Sequence, residues 1–421
     1  MKVPPIPADD PYCGWIATLP PPPPARPLDR DLSVDCVVVG AGFTGLAAAR
    51  RLAELEPGWR IAVLEAQRAG YGATGRSSGF VVDLAGFIAE MEPAAAERFI
   101  TLSRAGIAEL RRLVQEHDID CAWDDRGWLH VAAGDPGMRA LAALEAWLEG
   151  RGERFEHLDA AAMERLCGSP FYRAAARLPG SVLVQPAALV RGLATTLPET
   201  VELYEQAPVR ALEPGPRWRL EVGTGRVPAA VLADRVLLAT NGMLPALGVL
   251  RSRVFPLFTF GSFTRPLTES EQKSLGAESE WGLLAQDPMG SSLRRTRDQR
   301  LLVRNSVHYT RAPKAPGRAR RKAQEAHREA LARRYPQLAE IELEHTWAGL
   351  MGMTANHHHY FGRLQPGLYA AGGYFGAGIA MGTICGSLLA DLAAGGDSAL
   401  LREMQALPGP AWVPPEPILG L

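Results

Sequence analysis

The hydrophobic pattern of the chain starts with short apolar runs separated by glycine turns. Residues 34–39 (VDCVVV) form a β-branched run that predicts a buried strand. The run breaks at GAGFTG; residues 46–55 then read as a helix and residues 60–65 (RIAVLE) as a second strand, together a βαβ unit. Residues 86–118 carry Phe99, Leu102, Ile107, Leu110 and Leu113 near helical spacing and predict a long amphipathic helix. Residues 128–132 predict a strand, 137–150 another amphipathic helix, and 235–240 (RVLLAT) an apolar strand that stops at Asn241-Gly242. Residues 253–264 and 301–309 alternate or run apolar, as antiparallel strands of a second sheet do. An Arg-rich helix over 316–334, a strand over 368–371 and a helix from Ile379 to about Ala394 complete the regular elements. The prolines at 20–24 and 27 make residues 1–33 an extended arm. Either that arm is a solvated spacer, or Trp15 and Ile16 dock on the body; docking is favoured because an exposed Trp-Ile pair is an apolar liability. The tail over 407–421 is Pro-rich and reads as irregular.

Composition narrows the classes. With 421 residues, 47% of them apolar, the chain can bury a large core without disulfides or structural metals. A net charge of −1 offers no global field for nucleic acid or an anionic membrane. No apolar run is long enough to span a bilayer. Five widely spaced cysteines with no CxxC fit a reducing compartment. The first residues lack the basic and apolar regions of an export signal, so a cytoplasmic enzyme is the expectation.

Candidate chemistry lies in the glycine turns. Gly40, Gly42 and Gly45 form G-x-G-x-x-G between a strand and a helix. Such glycines permit the tight turn, the approach of a pyrophosphate and close helix–strand packing, and the helix N-terminus faces the phosphate. Glu65 ends the next strand, where an acid can accept hydrogen bonds from the adenosine ribose. This motif does not choose between NAD and FAD. Two later segments favour FAD: the glycine- and hydroxyl-rich loop containing Ala73, Thr74, Gly75, Arg76, Ser77 and Ser78, and the second strand-to-helix turn over Gly373, Tyr374, Phe375, Gly376, Ala377, Gly378 and Ile379. The first offers backbone N–H groups to an extended cofactor; the second brings a helix N-terminus that can stabilise charge on a reduced flavin. Two ordinary turns are the bland alternative.

VVVGAGFTGLAAARRLAE, VLEA and GYGATGRSSGF resemble the N-terminal part of the D-amino-acid oxidase (DAO-type) FAD superfamily. Within it the chain is most similar to gamma-glutamylputrescine oxidase-like amine oxidoreductases, on IDCAWDDRGWLHVA, Gln185-Pro186, LLATNGMLPAL and the block from Trp347 to Leu364. The resemblance implies an α/β fold, α+β overall: a GR2-type Rossmann-like FAD domain plus a mixed-sheet substrate domain, each discontinuous in sequence. The FAD domain is expected over 34–84, 177–247 and 347–395, the substrate domain over 85–176 and 248–346, and a tail over 396–421. The cofactor-binding candidates also include Phe43, Thr44, Ala66, Val209 on the adenine side, Thr240, Asn241, Trp347 and Gly349. Departures from the family pattern are Gln185 for its histidine, Ala355 and Asn356 for its Pro-Asp, His358-His359 for its Leu-Pro, and Ala377 for its loop histidine. Met351 stands where related sarcosine oxidases carry a flavin-tethering cysteine, so FAD is expected to bind non-covalently.

The resemblance implies oxidation of a small amine or amino acid by hydride transfer to flavin. Such chemistry needs mainly a neutral nitrogen and a positioned C–H bond. The candidate catalytic residues are Arg304, His308 and Tyr374. Arg304 and His308 share strand parity and could face one way. Arg304 could bind a substrate carboxylate, or be a surface arginine on an edge strand. Tyr374 and Phe375 could wall the pocket, with core packing of Phe375 as the alternative. Of His357, His358 and His359, only the first and last could converge; metal binding, pocket lining and plain exposure stay open, with no metal expected. The basic run over 311–334 reads as a solvated helix face. No lysine falls in a segment assigned to the flavin, so the electron acceptor is open. An oxidase giving imine or aldehyde and hydrogen peroxide with O2, a dehydrogenase feeding a quinone or carrier, and a catalytically decayed flavin-binding protein are the competing readings.

Overall fold

The computed structural model describes residues 13–223, 228–287, 290–309 and 315–414. The expected absence of an export signal, the start of the arm, Arg311 and Lys314, and the end of the tail lie outside the described residues.

Two eight-stranded sheets organise the chain. In the first, the strand Leu32–Val39 lies parallel between Ile61–Leu64 and Ala229–Leu238. Val201–Tyr204 extends the parallel array beyond Ile61–Leu64, and Leu368–Gly372 extends it beyond Ala229–Leu238. Val37, Val38, Ala62, Val63, Val236 and Leu237 are all 0% exposed, as strands covered on both faces require. The helix Phe43–Leu55 makes the crossover. It packs on Ala380–Ala394 so tightly that a Cβ on Gly386 would lie 2.1 Å from the Thr44 carbonyl oxygen. Only a hydrogen allows that approach.

The second sheet runs Leu343–Met353, Phe255–Thr264, Leu301–Tyr309, Ser292–Arg295, Trp281–Ala285, Leu129–Ala132, Ala174–Arg177, Glu156–Asp159. The helix Gly317–Arg334 covers one face through Ala323, His327, Ala330 and Leu331 and leaves its arginine-rich side to solvent, with Arg334 an exception, buried against the Tyr172 hydroxyl. The strand carrying Trp347 and Gly349 belongs to this second sheet, although the sequence division put residues from 347 onward with the cofactor domain.

Two expectations need correction. The helix read over 86–118 starts at Pro93 and ends at Glu116. Proline fits the first helical position, where no N–H is needed, and the Glu92 carboxylate accepts from the N–H groups of Ala94 and Ala95. The residues before it turn through Ile88–Glu90. The strand read over 235–240 is longer, Ala229–Leu238, and ends before Thr240. The docked arm is borne out in a different form: residues 14–17 make one helical turn, and Trp15 is 2% exposed.

Candidate functional site: one cavity between two glycine turns

A cavity of about 1070 Å³ opens at the carboxyl ends of the parallel strands, where open α/β sheets take their ligands. Gly40, Gly42, Phe43 and Thr44 line it from the first turn, and Glu65, Ala66 and Gln67 from the end of the next strand. Thr240, Asn241, Tyr374, Phe375, Gly376, Ala377, Gly378 and Ile379 line it from the third and fourth strand ends. Ala73, Thr74, Arg76, Ser77 and Ser78 form a side wall, and Val209 also reaches the cavity. The second sheet closes the top with Phe258, Thr259, Arg304, Gly349 and Met351.

Gly45, Gly75, Gly373 and Trp347 stand behind that surface. A Cβ on Gly45 would meet the Gly40 carbonyl oxygen at 1.8 Å, so its part is to bring helix and turn together. The Gly373 N–H donates to Asn241 Oδ1 at 2.8 Å, and the Trp347 indole donates to the Arg76 carbonyl at 3.0 Å.

The two glycine turns are tied to each other. Tyr374 and Thr44 hydroxyls lie 2.9 Å apart in the core. Burial raises the Tyr374 pKa well above its ordinary value. That bond braces the two turns against each other where both residues line the cavity. Both helices that start here, at Phe43 and at Ala380, lack a side-chain cap, although in the second the Met381 N–H is taken by the Ala377 carbonyl; the first turn of the Phe43 helix is the more open to a ligand. Glu65 accepts from the N–H groups of Ala41 (2.8 Å) and Gln67 (2.9 Å). Burial raises its pKa, and those two N–H donors oppose the shift. The Thr240 hydroxyl is buried with no partner among the described residues, and Thr240 lines the cavity. Uncapped helix ends, an acid at a strand tip and an orphaned hydroxyl together suit an extended dinucleotide.

Arg304 lines the cavity and donates to Ser292 Oγ at 2.9 Å. It makes no ion pair among the described residues, and burial alone lowers its pKa. His308 does not join it. Ser306 adopts φ 60°, and the pairing with Phe255–Thr264 slips so that Val307 opposes Thr259 while Asn305 opposes Phe260. This bulge inserts one residue and reverses the alternation beyond it. Arg304, opposite Gly261, lines the cavity, whereas His308, opposite Phe258 and out of step with Arg304, does not. The expectation that both share a face fails at that residue.

The three histidines also separate. His357 lines the cavity, its ring 4.1 Å from Phe375 and 5.0 Å from Phe87. His359 is buried with Nε2 3.2 Å from Met404 Sδ, and its pKa falls to about 4 through burial. His358 is half-buried and burial lowers its pKa. No group of three metal-ligating side chains stands together among the described residues. His357 and Phe375 both hold left-handed backbone, at φ 60° and 49°, a strained state that clusters at functional sites. Sequence reading overlooked Phe87 because it fell at the start of an expected helix; Pro93 was the available signal that the helix starts later.

Comparison with known proteins agrees with this geometry. Residues 35–392 match the DAO family model, described as FAD dependent oxidoreductase. The chain is 27% identical over 388 residues to a probable oxidoreductase OrdL of Haemophilus influenzae, covering 89% of this chain and 86% of the relative. It is 28% identical over 377 residues to gamma-glutamylputrescine oxidoreductase of Escherichia coli, covering 87% and 85%. Among solved structures, glycine oxidase from Geobacillus kaustophilus aligns with a TM-score of 0.73 at 21% identity, over 87% of this chain and 96% of that one. NikD, an amino acid oxidase of nikkomycin biosynthesis, aligns with a TM-score of 0.71 at 19% identity, over 91% and 99%. The chain belongs to the DAO family of FAD-dependent oxidoreductases.

Proposed function

We propose that this FAD-dependent amine or amino-acid oxidoreductase acts on a small amine that carries a carboxylate, and is an oxidase. In this reading residues 34–84, 177–247 and much of 347–395 hold FAD without a covalent bond, and the second sheet supplies the substrate side. The first turn with Glu65 takes the adenosine and pyrophosphate, and the 70–79 loop with the 373–379 turn takes the flavin end. The five cysteines are buried and form no disulfide with one another, which supports a reducing, cytoplasmic location.

Arg304 carries the substrate reading. A partly buried guanidinium on the cavity wall, with only a hydroxyl partner among the described residues, is well placed to take an anion. A substrate carboxylate would complete it through charge-assisted hydrogen bonds. The same cation lowers the pKa of the substrate ammonium and favours the neutral nitrogen that oxidation needs. Phe87, His357 and Phe375 line the cavity and form an aromatic wall there. When bound, the flavin supplies the two-electron acceptor. The substrate C–H bond breaks with its electron pair leaving as hydride, the nitrogen lone pair closes the C=N bond, and water hydrolyses the imine to carbonyl and amine.

The dehydrogenase reading has one observation in its favour: neither Lys273 nor Lys322 lines the cavity, whose cations among the described residues are Arg76, Arg304 and Arg320. Mixing substrate-reduced enzyme with aerated buffer separates the two. Prompt re-oxidation with one hydrogen peroxide per amine consumed supports the oxidase. Re-oxidation only by a quinone or carrier assigns the dehydrogenase.

A further inference from the structure

The loop over 75–79 is held from behind by donors that come from far away in sequence. The Trp347 indole N–H donates to the Arg76 carbonyl at 3.0 Å. The Trp15 indole N–H donates to the Ser77 carbonyl at 2.7 Å. Arg294 Nη1 donates to the Ser78 carbonyl at 3.3 Å and to the Val184 carbonyl at 2.5 Å. Three consecutive carbonyls therefore point toward side chains that do not line the cavity.

A trans peptide is planar, and its N–H points opposite to its C=O. Fixing the carbonyls of Arg76 and Ser77 backward turns the N–H groups of Ser77 and Ser78 forward, on the side where both residues line the cavity. Neither N–H has an acceptor among the described residues. Both N–H groups are therefore available to an acceptor in the cavity.

The rack behind them is rigid. Phe263 stacks edge-on between the two indoles, with ring centroids 4.6 Å from Trp15 and 5.3 Å from Trp347. Gln185 Nε2 fastens the Trp15 carbonyl at 2.7 Å. The Arg294 guanidinium lies over the Trp15 ring, 5.2 Å from its centroid.

We propose that Trp15, Trp347 and Arg294 are positioning residues that hold the Ser77 and Ser78 N–H groups toward the electron-rich edge of the bound flavin. The short N-terminal helix is then a working part of the cofactor site. This rests on the reading that the cavity beside Ser77 and Ser78 takes the flavin end. The N–H pair stabilises the reduced cofactor more than the oxidised one, because charge grows on that edge with reduction.

Trp15→Phe and Trp347→Phe keep an aromatic ring and delete the N–H. Each is expected to weaken FAD binding roughly three- to tenfold, the loss of one hydrogen bond, and to lower the flavin midpoint potential. Trp123→Phe is the control, since its indole serves Asp125 at the surface; it leaves both quantities unchanged. Arg294→Met strips the donor from the Ser78 and Val184 carbonyls, so the melting temperature of the apoprotein falls together with FAD affinity and potential. Arg294→Lys retains a donor and recovers part of both. FAD affinity and potential in Trp15→Phe and Trp347→Phe equal to those of Trp123→Phe overturn the inference. Wild-type protein that binds no FAD sinks the cofactor reading instead, and an inactive holoenzyme with the expected affinity pattern sinks only the substrate reading.

Discussion

Replacing Arg304 by Met tests how the cavity chooses its substrate. The side chain is partly buried, lines the cavity and among the described residues is bound only to Ser292 Oγ. Hydrogen bonds to charged groups contribute about 1.5–3 kcal/mol each, so losing the contact to a carboxylate weakens transition-state binding by roughly ten- to a hundredfold. The assay is steady-state kinetics on matched pairs, an α-amino acid and the amine without its carboxylate. The variant loses kcat/KM on the acid, mostly through KM, and changes little on the amine. Arg304→Lys recovers part of the loss, because an ammonium keeps the charge but not the planar fork. Removing a cation that has no ion pair among the described residues costs one hydrogen bond, to Ser292 Oγ, so the melting temperature changes little. Equal losses on both substrates, or none on the acid, would refute the assignment of Arg304 to a carboxylate.

Three further outcomes follow from the geometry. Gly45→Ala sets a Cβ 1.8 Å from the Gly40 carbonyl oxygen, forces the helix off its turn at a cost of about 1–3 kcal/mol, and lowers both melting temperature and bound flavin per chain. His308→Ala leaves kcat/KM within about twofold of wild type, because His308 does not line the cavity; a large fall would restore it as a catalytic candidate. His327 and His359 are buried with pKa values pushed down to about 4, whereas the unfolded chain titrates near ~6.5. The unfolded state therefore binds more protons between these values. Their contribution to stability is complete above about pH 6.5 and is lost as pH falls toward about 4. Urea unfolding across that window reads the slope, and His327→Gln makes it shallower.

The parts of the site that local pattern encodes were legible. The β-branched run before Gly40, the acid at Glu65 and the spacing of the second glycine turn each report backbone geometry within a few residues. What escaped depends on contacts across the chain. Trp15 and Ser77 are 62 positions apart, and nothing near either residue announces an indole donating to a carbonyl. Side-chain alternation assumes a regular strand, and nothing in the sequence marks the extra residue at Ser306 that takes His308 out of step with Arg304. Tyr374 does line the cavity, as its place in the glycine turn suggests, but the bond of its hydroxyl to Thr44, 330 positions away, is not legible. His357 and His359 share parity on an extended segment, but φ 60° at His357 breaks that segment and sends one ring to the cavity and the other to the core.

The most direct measurement is anaerobic titration of FAD-loaded protein with α-amino acids and their decarboxylated amines, following the oxidised-flavin absorbance. The account predicts that a carboxylated amine bleaches the flavin with one substrate per chain, and that Arg304→Met needs far more of it. Flavin that stays oxidised with every amine and amino acid, yet is reduced normally by dithionite, would contradict it.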